Sequence, residues 1–217
     1  MLDAFYRAVL PSTGKYALFL GERKQHLWAY SLNELILKTQ RLINDGTRAL
    51  YFATASFVEP KTRSQDNVQL RRCFAFDIDA GPEKFAKHGD AVYPSRDEAL
   101  AAVVAWCKQH RLAPAYVVSS GAGLHVYFAL DSDVTPEEWL PVAKALKARA
   151  LADGLRIDPA VTADSARVLR PLGASHSSGA TVEALLSSGK TYTLARLAEK
   201  FPPIVERKRS RLNDDVL

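Results

Sequence analysis

The distribution of apolar and polar residues predicts a chain in which helices and strands alternate. The predicted helices cover residues 2–10, 31–44, 95–110, 135–152 and 192–200, and the predicted strands cover residues 16–20, 26–29, 50–55, 72–79, 115–119, 124–130 and 181–185. Residues 57–70 are mostly polar, contain Pro60 and are predicted to form a loop. Ser31, Ser95 and Thr135 each stand three residues before a Glu, a pattern typical of helix N-caps.

The segment from residue 72 onward has the predicted order β-α-β-β-α-β, which is the split βαβ or ferredoxin-like unit. Such a unit carries both helices on one face of its sheet and leaves the other face for ligands or a partner element. We therefore predict an α+β fold, with an RRM-like core of about residues 71–190 behind an N-terminal α/β part of about residues 1–70. One domain then covers residues 1–200, and residues 201–217 form a basic tail or the start of a linker.

Composition narrows the class of protein only modestly. The chain has 217 residues, enough for one large domain, and a net charge of +5, which is compatible with nucleic acid or polyphosphate ligands. The two cysteines, Cys73 and Cys107, form no CxxC pair, so no structural zinc is expected, and a reduced cytoplasmic compartment is favoured. We expect no signal peptide at the N-terminus and no membrane span, because no apolar window of about 18 residues exists.

The predicted strand 72–79 carries the first candidate chemistry. Because successive side chains of a strand point to opposite faces, Phe74, Phe76 and Ile78 share one face, and Asp77 and Asp79 share the other. Two carboxylates beside each other require a neutralising cation or hydrogen bonds, and Mg²⁺ or Mn²⁺ prefers such oxygen ligands. The alternative is that the two acids only form a turn or a helix cap before Gly81-Pro82.

A second candidate site is the glycine-rich turn between the strands 115–119 and 124–130. The turn includes Ser120 and Gly123, and His125 follows just inside the second strand. Alternation predicts that His125 points to the same open face as the two acids if the strands are antiparallel neighbours. A histidine there can bind a phosphate oxygen or carry a proton. The alternatives are a histidine hydrogen-bonded within the sheet and a simple hairpin turn.

A third candidate follows the predicted helix 135–152. Asp158 comes after an apolar residue, and Asp164 leads into Arg167 and Arg170. Two guanidinium groups near a metal site suit binding of triphosphate or backbone phosphate. Turn, cap and surface ion-pair roles are the alternatives for these residues. Either acid could complete a set of three, and we favour Asp158 over Asp164 because Ile157 precedes it.

These three motifs, in this order, resemble the catalytic core of the archaeo-eukaryotic primase superfamily, in particular the phage and plasmid primase-polymerases. The resemblance covers about residues 48–180. Its motifs are apolar-apolar-Asp-x-Asp at residues 75–79, small-x-His at residues 123–125 and apolar-Asp at residues 157–158, followed by an arginine-rich stretch at residues 166–173. Two departures are the segment 172–176, where many relatives have Pro-Gly-Thr and an Asn and where the role of His176 stays open, and the absence of a zinc-type cysteine cluster.

The resemblance implies a DNA primase or DNA polymerase that joins nucleoside triphosphates on a single-stranded DNA template. Two divalent ions, Mg²⁺ or Mn²⁺, would be held by Asp77, Asp79 and Asp158. The nucleotide would be bound by His125, Ser120, Gly123, Arg167 and Arg170. Lys61, Arg63, Arg71 and Arg72 are candidates for template contact, with solvated surface charge as the alternative for each.

The resemblance also implies a candidate partner domain and a cellular setting, and two other functions compete with it. In this family the next domain is often a helicase, so a helicase domain C-terminal to this segment is a candidate partner, in a bacterial host or a virus-encoded setting.

One rival function is that of a phosphatase that uses Asp-x-Asp after a strand, which needs a parallel sheet. The other is a non-catalytic module that binds single-stranded nucleic acid, for which acids on the exposed face would be unfavourable without a metal.

Overall fold

The structure, a computed structural model, describes residues 1–202, so the basic tail after residue 202 lies outside the described residues. The helices are α1 (Leu2–Val9), α2 (Leu32–Asn44), α3 (Pro82–His88), α4 (Arg96–Gln109), α5 (Pro136–Ala152) and α6 (Leu194–Lys200). The strands are β1 (Tyr16–Leu20), β2 (Gln25–Ala29), β3 (Leu50–Ala53), β4 (Ala55–Phe57), β5 (Val68–Asp79), β6 (Tyr116–Ser119), β7 (Gly123–Val134), β8 (Val168–Leu169), β9 (Glu183–Ser187) and β10 (Thr191–Tyr192). Within residues 1–202, no helix is both long and apolar enough to cross a membrane.

The strands form two sheets. The first has the order β2-β1-β3-β8, and the second has the order β4-β5-β7-β6-β9, with β10 added in parallel to β7. All other pairings between these ten strands are antiparallel. The predicted β-α-β-β-α-β order is present, although the place beside β5 is taken by β4 from the N-terminal part and β9 lies at the opposite edge.

The two faces of the second sheet are buried by different elements. Phe74, Phe76 and Ile78 pack with residues of α4 and α5, and Phe74 stacks on Trp139 with ring centroids 5.5 Å apart. The opposite face packs against α1, where Phe5 makes an edge contact with Tyr127 at 5.1 Å. Aromatic pairs of this kind add about 1 kcal/mol each beyond area burial. The predicted alternation along β5 is therefore confirmed.

Helix starts follow the predicted caps with one difference in detail. The hydroxyl groups of Ser31, Ser95 and Thr135 each accept a hydrogen bond from the backbone N–H three residues on. Only at α5 is the capping box complete, since Glu138 accepts from the N–H of Thr135. Helix α3 is an element that the sequence patterns did not predict. It begins at Pro82, which suits the first turn because proline lacks an N–H to be satisfied there.

Candidate active site

Two of the candidate acids lie where β5 ends and β7 begins. Asp77 pairs in register with His125, and Asp79 pairs with Gly123. Residues directly opposite each other on antiparallel strands share a face of the sheet. The side chains of Asp77, Asp79 and His125 therefore lie on the same face, opposite to Phe76 and Ile78, as the alternation predicts.

Asp158 joins these residues through a backbone contact. Its N–H donates a hydrogen bond to the carbonyl oxygen of Asp77, with an N···O distance of 2.7 Å. Asp164 lies elsewhere, since its carboxylate accepts from the N–H of Ala166 and from the Gln65 side chain. The structure thus places Asp158, rather than Asp164, beside Asp77.

Two of the three carboxylates pair with charged basic groups, and the third faces a histidine. Asp79 forms an ion pair with Lys84 of α3. Asp158 lies 3.8 Å from Arg167, measured between Oδ2 and Nη2, and Asp77 lies 3.7 Å from Nε2 of His125. The cluster is therefore an acidic centre with a basic rim.

Asp77 carries the least compensated charge of the cluster. Burial, with the neighbouring charges of Asp79 and Asp158, raises its pKa to about 6. His125 does not offset this charge, because burial and the positive charges of Arg170 and Lys84 lower the pKa of its imidazole to about 3. The carboxylate of Asp77 therefore faces an uncharged imidazole, and its ionised form is destabilised by burial. Within the described part of the chain, Nδ1 of His125 is buried and has no hydrogen-bond partner.

The glycine-rich turn fits closely against neighbouring chain segments. Gly123 has a φ of +151°, and a Cβ atom at this position would lie 2.0 Å from the carbonyl oxygen of Ile78. A Cβ atom at Gly121 would lie 2.3 Å from Cβ of His176. The buried Ser120 closes the turn by donating its N–H to the carbonyl oxygen of Gly123. His176, whose role the sequence leaves open, therefore lies directly beside the turn.

The two arginines of the third motif flank β8. This two-residue strand pairs with β3 of the first sheet, with Leu169 opposite Phe52. Arg170 donates to the hydroxyl group of Tyr51 and lies 5.0 Å from the centroid of that ring. The first sheet thus holds both arginines at the border of the acidic centre.

Arg71, one of the four proposed template contacts, is buried and therefore poorly placed for contact with a template. It donates to Thr54 and to the carbonyl oxygens of Ser165 and Cys73, and lies 4.3 Å from the Trp139 ring. Its guanidinium group fills part of the core, with both terminal nitrogens hydrogen-bonded and the buried Nε without a partner among the described residues.

Arg72 is paired with Asp133 and lies five residues before Asp77, which is about 17 Å along an extended strand. Lys61 is exposed and paired with Glu59, and Arg63 donates to His26. For Lys61, Arg63 and Arg72, contact with a template stays a prediction.

Lys84 and Tyr51 are site residues that the motifs did not indicate. Lys84 follows Gly81-Pro82, a pair that predicts a turn but also suits the start of a helix. Recognising Pro82 as the first helical residue would have placed Lys84 one turn from Asp79. Tyr51 had no comparable sequence feature, because its contact with Arg170 depends on the pairing of β3 with β8.

The donor set fits divalent cations. Among residues 1–202, no three His, Cys, Asp or Glu side chains converge closely enough to form a ready-made metal site. Burial and the neighbouring acids nevertheless raise the pKa of Asp77, a carboxylate that a cation would stabilise, and carboxylate oxygens are the ligands that Mg²⁺ and Mn²⁺ prefer. Binding at all three would require Asp79 and Asp158 to give up their contacts with Lys84 and Arg167.

Comparison with known proteins identifies the fold. No protein-family model matches the chain, and no curated protein matches its sequence. Among solved structures, the AEP domain of the cyanophage S-2L primase-polymerase is similar at 14% identity and a TM-score of 0.55, over 88% of this chain and 90% of that one. The catalytic domain of primase RepB′ in complex with initiator DNA is similar at 16% identity and a TM-score of 0.55, over 92% of both chains. A further structure of RepB′ gives the same TM-score over 61% of its length.

These similarities, at 14–16% identity, show the fold. The chain has the fold of archaeo-eukaryotic primase catalytic domains, which confirms the predicted α+β class and the resemblance at the level of fold.

Proposed function

We propose that this protein is a template-directed nucleotidyltransferase, a DNA primase or DNA polymerase that joins nucleoside triphosphates on single-stranded DNA in phage or plasmid replication. The observation that carries the proposal is the meeting of Asp77, Asp79 and Asp158 beside His125 on a primase-type fold. The rim of Lys84, Arg167 and Arg170 supports it, because a polyanionic substrate needs positive charge next to the metal-binding acids.

The three carboxylates would hold two divalent ions, Mg²⁺ or Mn²⁺. When bound, such ions lower the pKa of an attacking 3′-hydroxyl group and balance the charge of the leaving pyrophosphate. The protein's own contribution is positional. The register between β5 and β7 fixes Asp77 opposite His125, and the hydrogen bond from the Asp158 N–H to the Asp77 carbonyl oxygen holds the backbone of Asp158 beside Asp77.

The incoming nucleotide would be held by neutral and basic groups around the acids. His125, uncharged at neutral pH, can donate a hydrogen bond to a phosphate oxygen from one ring nitrogen. Arg167 and Arg170 would contact the triphosphate, and the glycine-rich turn at Ser120 and Gly123 would let the nucleotide approach the backbone closely. A helicase domain C-terminal to this segment remains a proposed partner.

The rival is a non-catalytic module that binds single-stranded nucleic acid. One observation favours it, since Lys84 and Arg167 already neutralise two of the carboxylates without metal. The Asp-x-Asp phosphatase has no such support, because β5 lies between two antiparallel neighbours, β4 and β7.

A synthesis assay tests the proposal. Labelled dNTPs or NTPs, single-stranded DNA and Mg²⁺ or Mn²⁺ are incubated with the wild type and with Asp77→Ala/Asp79→Ala, with and without a primer. We expect a metal-dependent product that the double variant does not make. The unprimed reactions separate a primase from a polymerase. Asp66→Ala, at an exposed position outside the site, is the matched control and should retain full activity.

The outcomes separate the two candidate functions. No product in any reaction, with DNA still bound, would favour the binding module. The third acid is tested in the same assay, where we expect Asp158→Ala to abolish synthesis and Asp164→Ala only to weaken it. Equal losses from these two substitutions would contradict the assignment of Asp158.

A further inference from the structure

The outer face of the first sheet carries a row of half-buried aromatic side chains. Phe19 of β1 lies between His26 of β2, at 5.0 Å between ring centroids, and Tyr51 of β3, at 6.2 Å. Trp28 continues the row at 6.4 Å from His26. We call Phe19, His26, Trp28 and Tyr51 the aromatic platform. None of the four is fully buried, so the row forms part of the protein surface.

The main core of this sheet lies on its other face, although Trp28 of the platform packs against a small buried cluster through an edge contact with Phe57 at 5.4 Å. Leu18, Leu20 and Phe52 point to the other face, where they pack with residues of α1 and α2. Four neighbouring rings on the outer face therefore keep apolar surface in contact with water. A contiguous patch of this kind indicates a binding surface more often than a structural requirement.

Two arginines accompany the rings. The guanidinium group of Arg63 lies 6.0 Å from the Phe19 centroid and donates to Nε2 of His26. Arg170 lies over Tyr51 and donates to its hydroxyl group. Bases stack on aromatic rings and on guanidinium planes, and the arginine charges attract phosphates. The rings of the platform therefore suit the bases of a nucleotide chain, and the two arginines suit its phosphates.

The platform is continuous with the acidic centre. Tyr51 lies on β3, which pairs with β8, and β8 connects Arg167 to Arg170. Arg167 in turn contacts Asp158. A strand that follows the platform would therefore arrive at the candidate catalytic carboxylates, as a template must.

We propose that the aromatic platform binds the bases of single-stranded DNA on its way to the acidic centre, with Arg63 and Arg170 contacting its phosphates. This inference rests on the proposed function, because it assigns the template path of the same site. No carboxylate belongs to the platform, so binding there does not require a divalent metal. That property distinguishes it from binding at the acidic face.

Intrinsic fluorescence gives a direct test, because Trp28 is the only one of the three tryptophans that lies on the platform. Trp106 and Trp139 are 4% and 0% exposed and lie in the core. We expect a single-stranded oligonucleotide to quench Trp28 in EDTA, and Trp28→Phe to remove the quench while DNA binding, followed by anisotropy, remains. An abasic oligonucleotide of the same length should bind more weakly and not quench. Free dNTP should not reproduce the effect.

Substitutions that remove a ring but keep apolar volume measure the stacking. Stacking contributes about 1–3 kcal/mol per base, which is about 5- to 150-fold in affinity. We expect Phe19→Leu to weaken oligonucleotide binding about 5-fold, the lower end of that range because leucine keeps some contact, and Phe19→Tyr to restore it. Leu186→Ala, at a 40% exposed strand position of the second sheet, is the matched control and should bind normally.

The charge contribution has its own pair of variants. Arg63→Gln should weaken binding and flatten its salt dependence, whereas Arg41→Gln, an exposed arginine on α2, should not. Saturable DNA binding with unchanged Trp28 fluorescence would overturn the inference, as would equal affinity for the abasic oligonucleotide. Quenching without any synthesis would support the platform while refuting the proposed enzyme. Synthesis without quenching would support the proposed enzyme and refute the platform.

Discussion

Replacing Asp77 by asparagine should stabilise the metal-free protein while abolishing its synthetic activity. The carboxylate is held between Asp79, Asp158 and a neutral His125, and its pKa is raised to about 6 from an ordinary value of 3.8. A raised pKa means that the ionised form is less stable in the folded chain than in the unfolded chain. Asparagine keeps the shape of the side chain and removes the charge.

The size of the effect follows from the pKa difference. A difference of about 2 pH units at 1.36 kcal/mol each corresponds to about 3 kcal/mol at neutral pH. This is an upper bound, since 24% of the Asp77 side chain remains exposed to water. In a protein of this length, 1 kcal/mol moves Tm by about 2–4 °C. We therefore expect the Asp77→Asn variant to melt up to about 10 °C above the wild type.

The size of the variant's stability advantage depends on pH. Below pH 3.8, Asp77 becomes mostly protonated in both folded and unfolded chains, and its penalty becomes small. As pH rises towards 6, the unfolded chain has already ionised while the folded chain still holds its proton, so the wild type loses stability relative to the variant. Above that window the difference is constant. The variant's advantage should thus be small near pH 3.5 and complete at pH 7.5.

Urea unfolding in EDTA, measured by circular dichroism at both pH values, checks this expectation. Asp66→Asn, at an exposed position, is the control and should match the wild type. Added Mn²⁺ should then raise the stability of the wild type and leave Asp77→Asn nearly unchanged, because a ligand stabilises only the protein that binds it. A variant that is less stable than the wild type at pH 7.5 would refute the view that Asp77 is electrostatically strained.

Three further predictions address other parts of the structure. Lys84→Ala should strengthen Mn²⁺ binding by up to about 5-fold in calorimetry, because it removes a competing, half-exposed ion pair worth at most about 1 kcal/mol, and weaker binding would contradict this. Gly123→Ala should cost more than about 3 kcal/mol in urea unfolding, because its Cβ would overlap the carbonyl oxygen of Ile78, and a loss below 1 kcal/mol would refute the close fit. Arg71→Lys should destabilise the fold by about 3 kcal/mol without changing the DNA affinity of the folded protein, whereas a selective loss of affinity would restore Arg71 as a template contact.

The parts of the site that sequence could predict are those governed by local periodicity. Alternation along residues 72–79 correctly placed Asp77 and Asp79 opposite the apolar residues, and the same rule placed His125 on their face. Hydroxyl and glutamate spacing predicted the start of α5, where the full capping box is present. These features depend on neighbours within a few residues, which a single sequence displays directly.

What the sequence did not predict depends on contacts between distant segments. Arg71 and Arg72 look equivalent as neighbouring basic residues, yet the structure buries Arg71 and leaves Arg72 partly exposed in an ion pair with Asp133. The period-two rule alone would have placed Arg71 on the face of the acids and Arg72 on the face of Phe74, but the pairing of β5 with β7 shifts register between Arg71 and Cys73. The contact of Arg170 with Tyr51 could not be found from local periodicity, because the two residues are 119 apart in sequence and meet only through the pairing of β8 with β3.

The two sheets exchange strands, and this limits how the protein can be divided. The N-terminal part supplies β4 to the edge of the second sheet, while the C-terminal part returns β8 to the edge of the first. Neither half therefore contains all of its own backbone hydrogen bonds, and each would present an open sheet edge if made alone. We expect the chain to unfold in a single cooperative step. For the same reason the two halves must be inherited together, since a half taken from another protein would have to supply a matching strand as well as a matching surface.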